Sequence, residues 1–393
     1  MRARLLLVSA FLVASVPVSQ AQKNVIDCNL EPLAEALGRI KDRQTVQFTG
    51  VCSGPVAIRV DGLTLTGVGT AAIDGAGQDA ITVTGASNVV LSGFEVLHGL
   101  NGIVGNNGAH ITLRNVTSRN NARSGITLQA GSSASLDDVA VNNNNLHGLD
   151  VGNGSAVTVT GDLTASTNRV FGINVNGSSI TFAEATVVAT ANALGIQIAT
   201  SANAFINDAA TTINVTNNLA TGLTVVSGGH LVSFGGTINA SGNPSAGVSV
   251  NSKAGLDLDA ASTLTSTGNG VGVLIQQGSV MTVFNTPQFS GAPGFSTVNA
   301  NQNSSAGIRV LTSSTLTLSN QARIVSTQNT GLGFVADNGA AVTLVNSTIT
   351  GSSTRDIQLS FGTRADFRTL TFGTATCDAT VLVRGTSGIT CPQ

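Results

Sequence analysis

Tryptophan and tyrosine are absent from this chain. Those rings are the usual platforms for stacking on sugars and bases, so their absence counts against aromatic-lined carbohydrate grooves and against single-strand nucleic-acid binding. Charge is also scarce: 10% of residues are charged and the net charge is −2. Without a basic face the chain lacks what an electrostatic nucleic-acid binder needs. After residue 21 no apolar run approaches the roughly 20 residues of a membrane span. Cysteine is limited to Cys28, Cys52, Cys377 and Cys391, with no Cys-x-x-Cys and no histidine nearby. That favours disulfides over a metal site. Of the three possible pairings, Cys28–Cys52 and Cys377–Cys391 each close a short loop and are expected here.

The beginning of the chain does have a recognisable pattern. Met1-Arg-Ala-Arg, an apolar run from Leu5 to Val16 and Ser19-Gln20-Ala21 form the three parts of a secretory signal peptide, with cleavage after Ala21. Export to a secreted or periplasmic location would put the cysteines in a disulfide-permissive compartment. Residues 22–55 read as an N-terminal cap. Within it, residues 29–43 form one amphipathic helix, with Pro32 at its first turn and Leu33, Leu37 and Ile40 on one face. Such a helix can cover the open end of a stacked-strand structure.

From residue 56 to 360 the sequence repeats. Gly102-Ile-Val, Gly125-Ile-Thr-Leu and Gly148-Leu-Asp-Val open successive units, and further anchors follow at Gly172, Gly195, Gly222, Gly247, Gly272, Gly307 and Gly333, with Asp356 in the last unit. The anchors are 23 to 27 residues apart, except for 35 between Gly272 and Gly307. Apolar and polar residues alternate after most anchors, and two further short strands complete each unit. Three short strands per period of about 23 predict an all-β, single-stranded right-handed parallel β-helix of about 12 turns. Residues 361–393 read as a C-terminal cap, in which Phe361, Phe367 and Phe372 cover the end of the coil. Asn121, Asn143, Asn168, Asn192, Asn218, Asn243, Asn269, Asn303 and Asn329 lie three to five residues before an anchor. Asparagine tolerates left-handed backbone and can hydrogen-bond to its equivalent one turn away, so an internal ladder is expected.

The helix cap, the Gly-Ile-x-Val anchors and the asparagine turns resemble the pectate-lyase-like family of right-handed parallel β-helices. The resemblance covers nearly the whole chain after the leader and is architectural. It implies the fold and leaves the activity open. The signatures of the family's enzymes do not assemble. Asp137-Asp138 is followed too soon by His147-Gly148, Arg39-Ile40-Lys41 lies in the capping helix, and the epimerase-type Asp-Pro-His-Asp is missing.

One region is rich in charge. Arg114, Arg119, Arg123, Asp137, Asp138, His147, Asp150 and Arg169 fall within three units. Counted from their anchors, Arg114 and Asp137 share a position, as do Arg123 and Arg169, with His147 one place on and Asp150 outward beside it. An anionic sugar would suit such a patch, with His147 or Arg123 as base and Asp150 or a neighbouring carboxylate holding a cation such as Ca2+. The alternative is surface pairing worth under about 1 kcal/mol. The long interval after Gly272 carries Phe284, Pro287, Phe289, Pro293 and Phe295 and reads as a binding loop or a self-covering one. Asp257 and Asp259 are both read as outward. The expected function is non-catalytic binding of polysaccharide or a cell-surface partner by a monomer. The alternatives are a lyase, hydrolase or epimerase of acidic polysaccharide, and a passive rod.

Overall fold

The structure, a computed structural model, describes residues 25–41, 43–286, 294–319, 321–385 and 388–392. The leader at residues 1–21, and Pro287, Phe289 and Pro293, lie outside the described residues. Short strands pair in parallel with their equivalents one turn away and form two sheets, of 25 and 14 strands, here called sheet I and sheet II. Each turn contributes one strand to sheet II and the remainder to sheet I. Several turns bend round the corner of sheet I within one long strand, as at His110–Arg119 and Ser133–Asn142. The corner residues there, Asn115 and Asp138, have φ of 51° and 54°.

Sheet II has 14 rungs, more than the 12 turns expected. Eleven follow the anchors from Gly102 to Asp356. The others, Val56–Ile58, Ile81–Thr84 and Ala375–Cys377, lack an anchor glycine and so escaped the count. At about 4.8 Å per rung the stack is about 60–65 Å long. Its interior is one continuous apolar column. Along sheet II the inward residue after each anchor, from Ile103 through Ile126, Leu149 and Ile173 to Ile357, is essentially inaccessible to solvent. Each such side chain contributes roughly 1.5–3 kcal/mol.

The asparagine ladder is present, with one correction. The second rung is Asn144 and not Asn143, which is exposed with φ 56°. In nearly every turn the left-handed residue is the one before the ladder asparagine: Asn120, Asn143, Thr167, Ala191 and Asn217 among them. The ladder residue itself points inward. Asn144 Oδ1 accepts hydrogen bonds from the backbone N–H and the Nδ2 of Asn121, at 3.1 and 2.9 Å. Asn168 does the same for Asn144, and the pattern continues to Asn329. The anchors are glycine because the amide of the next turn packs against them. A Cβ on Gly222 would lie 2.8 Å from Asn243 Nδ2 and from the carbonyls of Val215 and Gly247. Asp356 can replace glycine because the ladder has ended there. Its carboxylate accepts from the backbone N–H groups of Ser352, Gly373 and Thr374 at 3.0, 2.9 and 2.9 Å.

Both disulfides, Cys28–Cys52 and Cys377–Cys391, have the expected pairing. The capping helix is shorter than residues 29–43. It spans Leu33–Gly38, burying Leu33, Ala36 and Leu37. Before Pro32 the chain makes a turn closed by Asp27, whose side chain accepts from Asn29 N–H. After Gly38 a tighter i→i−3 bond to Ala36 ends the helix. The coil also extends beyond residues 56–360. Val25–Asp27 pairs with Thr45–Thr49 at one end, and strands continue to Leu382–Gly385 at the other. Phe367 is in the core and Phe372 packs against it, whereas Phe361 is 65% exposed.

Candidate functional site

The second residue after each anchor faces outward from sheet II, one per rung. Parallel register places Thr127, Asp150, Asn174, Gln197, Thr224 and Ser249 in a single column. In its middle the side chains are bonded rung to rung. Asn174 Nδ2 donates to Asp150 Oδ1 at 2.8 Å, and Gln197 Nε2 donates to Asn174 Oδ1 at 3.1 Å. The column beside it, formed by the residue before each anchor, carries Ser124, His147, Phe171 and Leu194. The His147 and Phe171 rings stack, with centroids 5.2 Å apart and planes 30° apart.

His147 is partly buried and its Nδ1 has no hydrogen-bond partner among the described residues. Burial pushes its pKa below the ordinary value of 6.5. The Asp150 carboxylate opposes this and the Arg123 cation adds to it. The imidazole is therefore neutral at neutral pH. Next to it a hollow of about 280 Å³ is lined by Asp79, Asn101, Arg123, Ser124, Thr127 and Asp150 among others. Asp79 accepts from the backbone and side-chain amides of Asn101 at 3.1 and 2.8 Å. The Arg123 residue is exposed, and its guanidinium makes no ion pair among the described residues.

The sequence-defined patch therefore divides. His147, Asp150 and Arg123 come together on sheet II. Arg114 and Asp137 do stack on neighbouring rungs, but on sheet I, with Nε and Oδ2 4.0 Å apart and both side chains about half exposed. Such a pair is worth under about 1 kcal/mol. Asp138 holds the corner of sheet I and accepts from Asp162 N–H at 3.3 Å. Arg119 pairs with Glu95 at 2.7 Å beside a separate hollow of about 690 Å³. Arg169 does not share the Arg123 column. Val170 N–H bonds to Leu146 carbonyl and Leu146 N–H to Arg123 carbonyl, so Leu146 and Val170 continue that column. One extra residue enters between Val159, which pairs with Leu136, and Leu163, which pairs with Val139, and this shifts Arg169 by one place.

Counting charged residues missed Asp79, Asn101, Phe171, Asn174 and Gln197. Four of them share an offset with His147 or Asp150, so reading every column outward from the anchors finds Asn101, Phe171, Asn174 and Gln197. Asp79 precedes a strand with no anchor. Of two other aspartates, Asp257 faces outward as expected and Asp259 does not. Asp257 pairs with His230 at 2.9 Å, and Asp259 is buried, accepting from the N–H groups of Ala260 and Thr286 at 2.6 and 2.7 Å. On the long interval after Gly272, Phe295 is exposed and lies under the Arg323 guanidinium, 5.4 Å from the ring centroid.

The carboxylates limit the chemistry. Asp79 and Asp150 lie three rungs (~14 Å) and three residues along the strand (~10 Å) apart, about 17 Å between backbone positions. That exceeds the roughly 5–9.5 Å between paired carboxyl groups in glycoside hydrolysis. Both already accept amide hydrogen bonds, and among the described residues no three His, Cys, Asp or Glu side chains group to hold a metal.

The family described as "Right handed beta helix region" matches residues 56–218. The chain is a right-handed parallel β-helix. This β-helix is similar in structure to the A-module of a mannuronan C-5 epimerase of Azotobacter vinelandii, at 15% identity, TM-score 0.46, covering 89% of this chain and 93% of that one. It is similar to a pectate lyase at 17% identity and TM-score 0.39, covering 64% and 70%. A third likeness, at 16% identity and TM-score 0.42, is to the catalytic unit of an α-1,3-glucanase of Streptomyces thermodiastaticus, covering 94% and 69%. No curated protein matches the chain significantly in sequence. Among the described residues no helix is long and apolar enough to cross a membrane.

Proposed function

We propose that this β-helix is exported through the leader at residues 1–21 and binds polysaccharide along the outward face of sheet II without cleaving it. The observation that carries this reading is the Asp150–Asn174–Gln197 row beside the stacked His147 and Phe171. A row of donors and acceptors repeating at every rung suits a polymer that repeats its hydroxyl groups. The stacked rings supply an apolar platform of the kind that tryptophan or tyrosine would otherwise give. The two disulfides are consistent with an oxidising compartment.

The test is calorimetric titration of the mature protein with a panel of neutral and acidic polysaccharides, followed by analysis of their ends. Binding should weaken about tenfold in His147→Ala, a loss of ~1.4 kcal/mol, while polymer length stays unchanged. New reducing or unsaturated ends that disappear in His147→Ala would overturn it. If no polymer binds, the chain is a passive rod.

A second reading has its own support. A neutral imidazole with an unpaired Nδ1, close to an unpaired arginine, is the pairing that proton abstraction next to a uronate carboxylate requires. It predicts unsaturated ends or altered uronate configuration from acidic polymers. Silence across that panel defeats it.

A further inference from the structure

The chain has a third hollow, apart from the two beside Arg123 and Arg119. On sheet I, near the C-terminal end of the coil, four successive rungs line a concavity of about 630 Å³. Two outward columns form it. One runs through Thr315 and Arg364, and the other, two residues along each strand, through Thr317, Thr343, Asp366 and Arg384.

Its charge is unbalanced. The one carboxylate, Asp366, is occupied by Arg368, whose guanidinium reaches both oxygens, at 2.7 and 3.4 Å. Arg364 and Arg384 are exposed, and neither has a carboxylate within ion-pair distance among the described residues. Two unneutralised cations thus stand on adjacent rungs in a chain with only 18 Lys and Arg in 393 residues. Like charges so close on a sheet face repel, and an anion bound between them would relieve that repulsion.

The spacing narrows the choice of anion. One rung (~4.8 Å) and two residues (~6.7 Å) separate the two backbone positions, which puts them about 8 Å apart. The site is open to solvent, so a single small ion would gain little against screening. A polymer that carries several anionic groups gains more, because once the first is bound the second is held at high effective concentration. The hydroxyls of Thr315, Thr317 and Thr343 can both donate and accept, which suits sugar hydroxyls between the charges. Among the described residues no aromatic ring lines the hollow, which disfavours stacked nucleic-acid bases.

We propose that this hollow binds the anionic groups of an acidic polysaccharide, with Arg364 and Arg384 engaging successive carboxylates or sulfate esters. It shares no residue with the sheet II groove, so the two sites can succeed or fail separately.

The experiment is titration calorimetry on the mature chain with an oligouronate, a sulfated oligosaccharide, a neutral oligosaccharide of equal length, and inorganic sulfate and phosphate. The proteins are wild type and His147→Ala, each with and without the pair Arg364→Ala and Arg384→Ala. Affinity for at least one acidic oligomer should weaken with salt and fall tenfold or more when the arginine pair is replaced, in either background. Arg364→Gln with Arg384→Gln reads the same loss should the alanine pair fold poorly. The proposal is overturned if no acidic oligomer binds, if the double variant binds as wild type does, or if the loss occurs only in His147→Ala. It is also overturned if the neutral oligomer or the inorganic ions bind as tightly as the acidic oligomers.

Discussion

The β-helix carries two stacks of amide side chains, one on each side of its wall. Inside, nine asparagines from Asn121 to Asn329 bond rung to rung, and nearly every donor and acceptor is used. Outside, Asp150, Asn174 and Gln197 make a shorter row on the outer face of sheet II, with Asn174 covered between two half-buried end members, Asp150 and Gln197, that reach solvent. The repeat spacing and the chemistry are the same in both. The difference is dielectric. A buried amide without a partner costs its full desolvation, whereas an exposed one is compensated by water. The inner stack therefore holds the coil together, and the outer one is free to exchange water for a ligand.

The most severe way to break that comparison is to cut the inner ladder. Asn218→Ala removes the acceptor for Asn192 N–H and Nδ2 and the donor to Ala189 carbonyl, all buried. Two stranded backbone groups at about 1–3 kcal/mol each predict a loss of about 3 kcal/mol in denaturant unfolding, with hydrogen exchange fastest in the turns beside residue 218. A loss below about 1 kcal/mol would mean that water enters the ladder and that it does not govern stability. Gly222→Ala should destabilise comparably, because the added methyl must displace the Asn243 amide.

The matching cut outside should leave the fold intact. Gln197→Ala removes one outer hydrogen bond from a half-buried side chain at the end of the row, and unfolding free energy should change by no more than about 1 kcal/mol. Polysaccharide affinity should instead fall severalfold, read by calorimetry on the same protein. If stability falls as far as in Asn218→Ala, the two stacks are equivalent and the outer row is structural.

These contrasts also explain what could be read in the sequence. The period was legible because every turn must place an aliphatic residue inward and a glycine under the next asparagine, so the constraint repeats in sequence. Asn142 to Asn145 offered four candidates for one ladder place; a position three or four residues before an anchor fits two of them, and only the rung-to-rung hydrogen bonds select Asn144. The outer surface has no such constraint. Arg119, Arg123 and Arg169 are close in sequence, yet a corner and a one-residue insertion send them to different columns or faces. Arg364 and Arg384 are 20 residues apart and meet only because one turn intervenes. The ends of the capping helix depended on a turn closed by Asp27, which hydrophobic periodicity does not report.

The smallest expected effect distinguishes two histidines, one in the groove and one outside it. Burial holds the His147 pKa below 6.5, with Asp150 opposing and Arg123 assisting. A lowered folded value means that its contribution to stability is complete above pH 6.5 and is lost as pH falls through the folded value. His230 has the opposite sign. Its hydrogen bond to Asp257 raises the pKa, burial opposes, and the Asp257 charge adds to the rise. That contribution is complete below pH 6.5 and is lost as pH rises through the folded value. An NMR titration of the two imidazoles should place His147 below and His230 above the free value, with Asp257→Asn returning His230 toward it. Repeating the titration with a bound polysaccharide should move His147 and leave His230 where it was. Equal movement of both would place the ligand away from the sheet II groove.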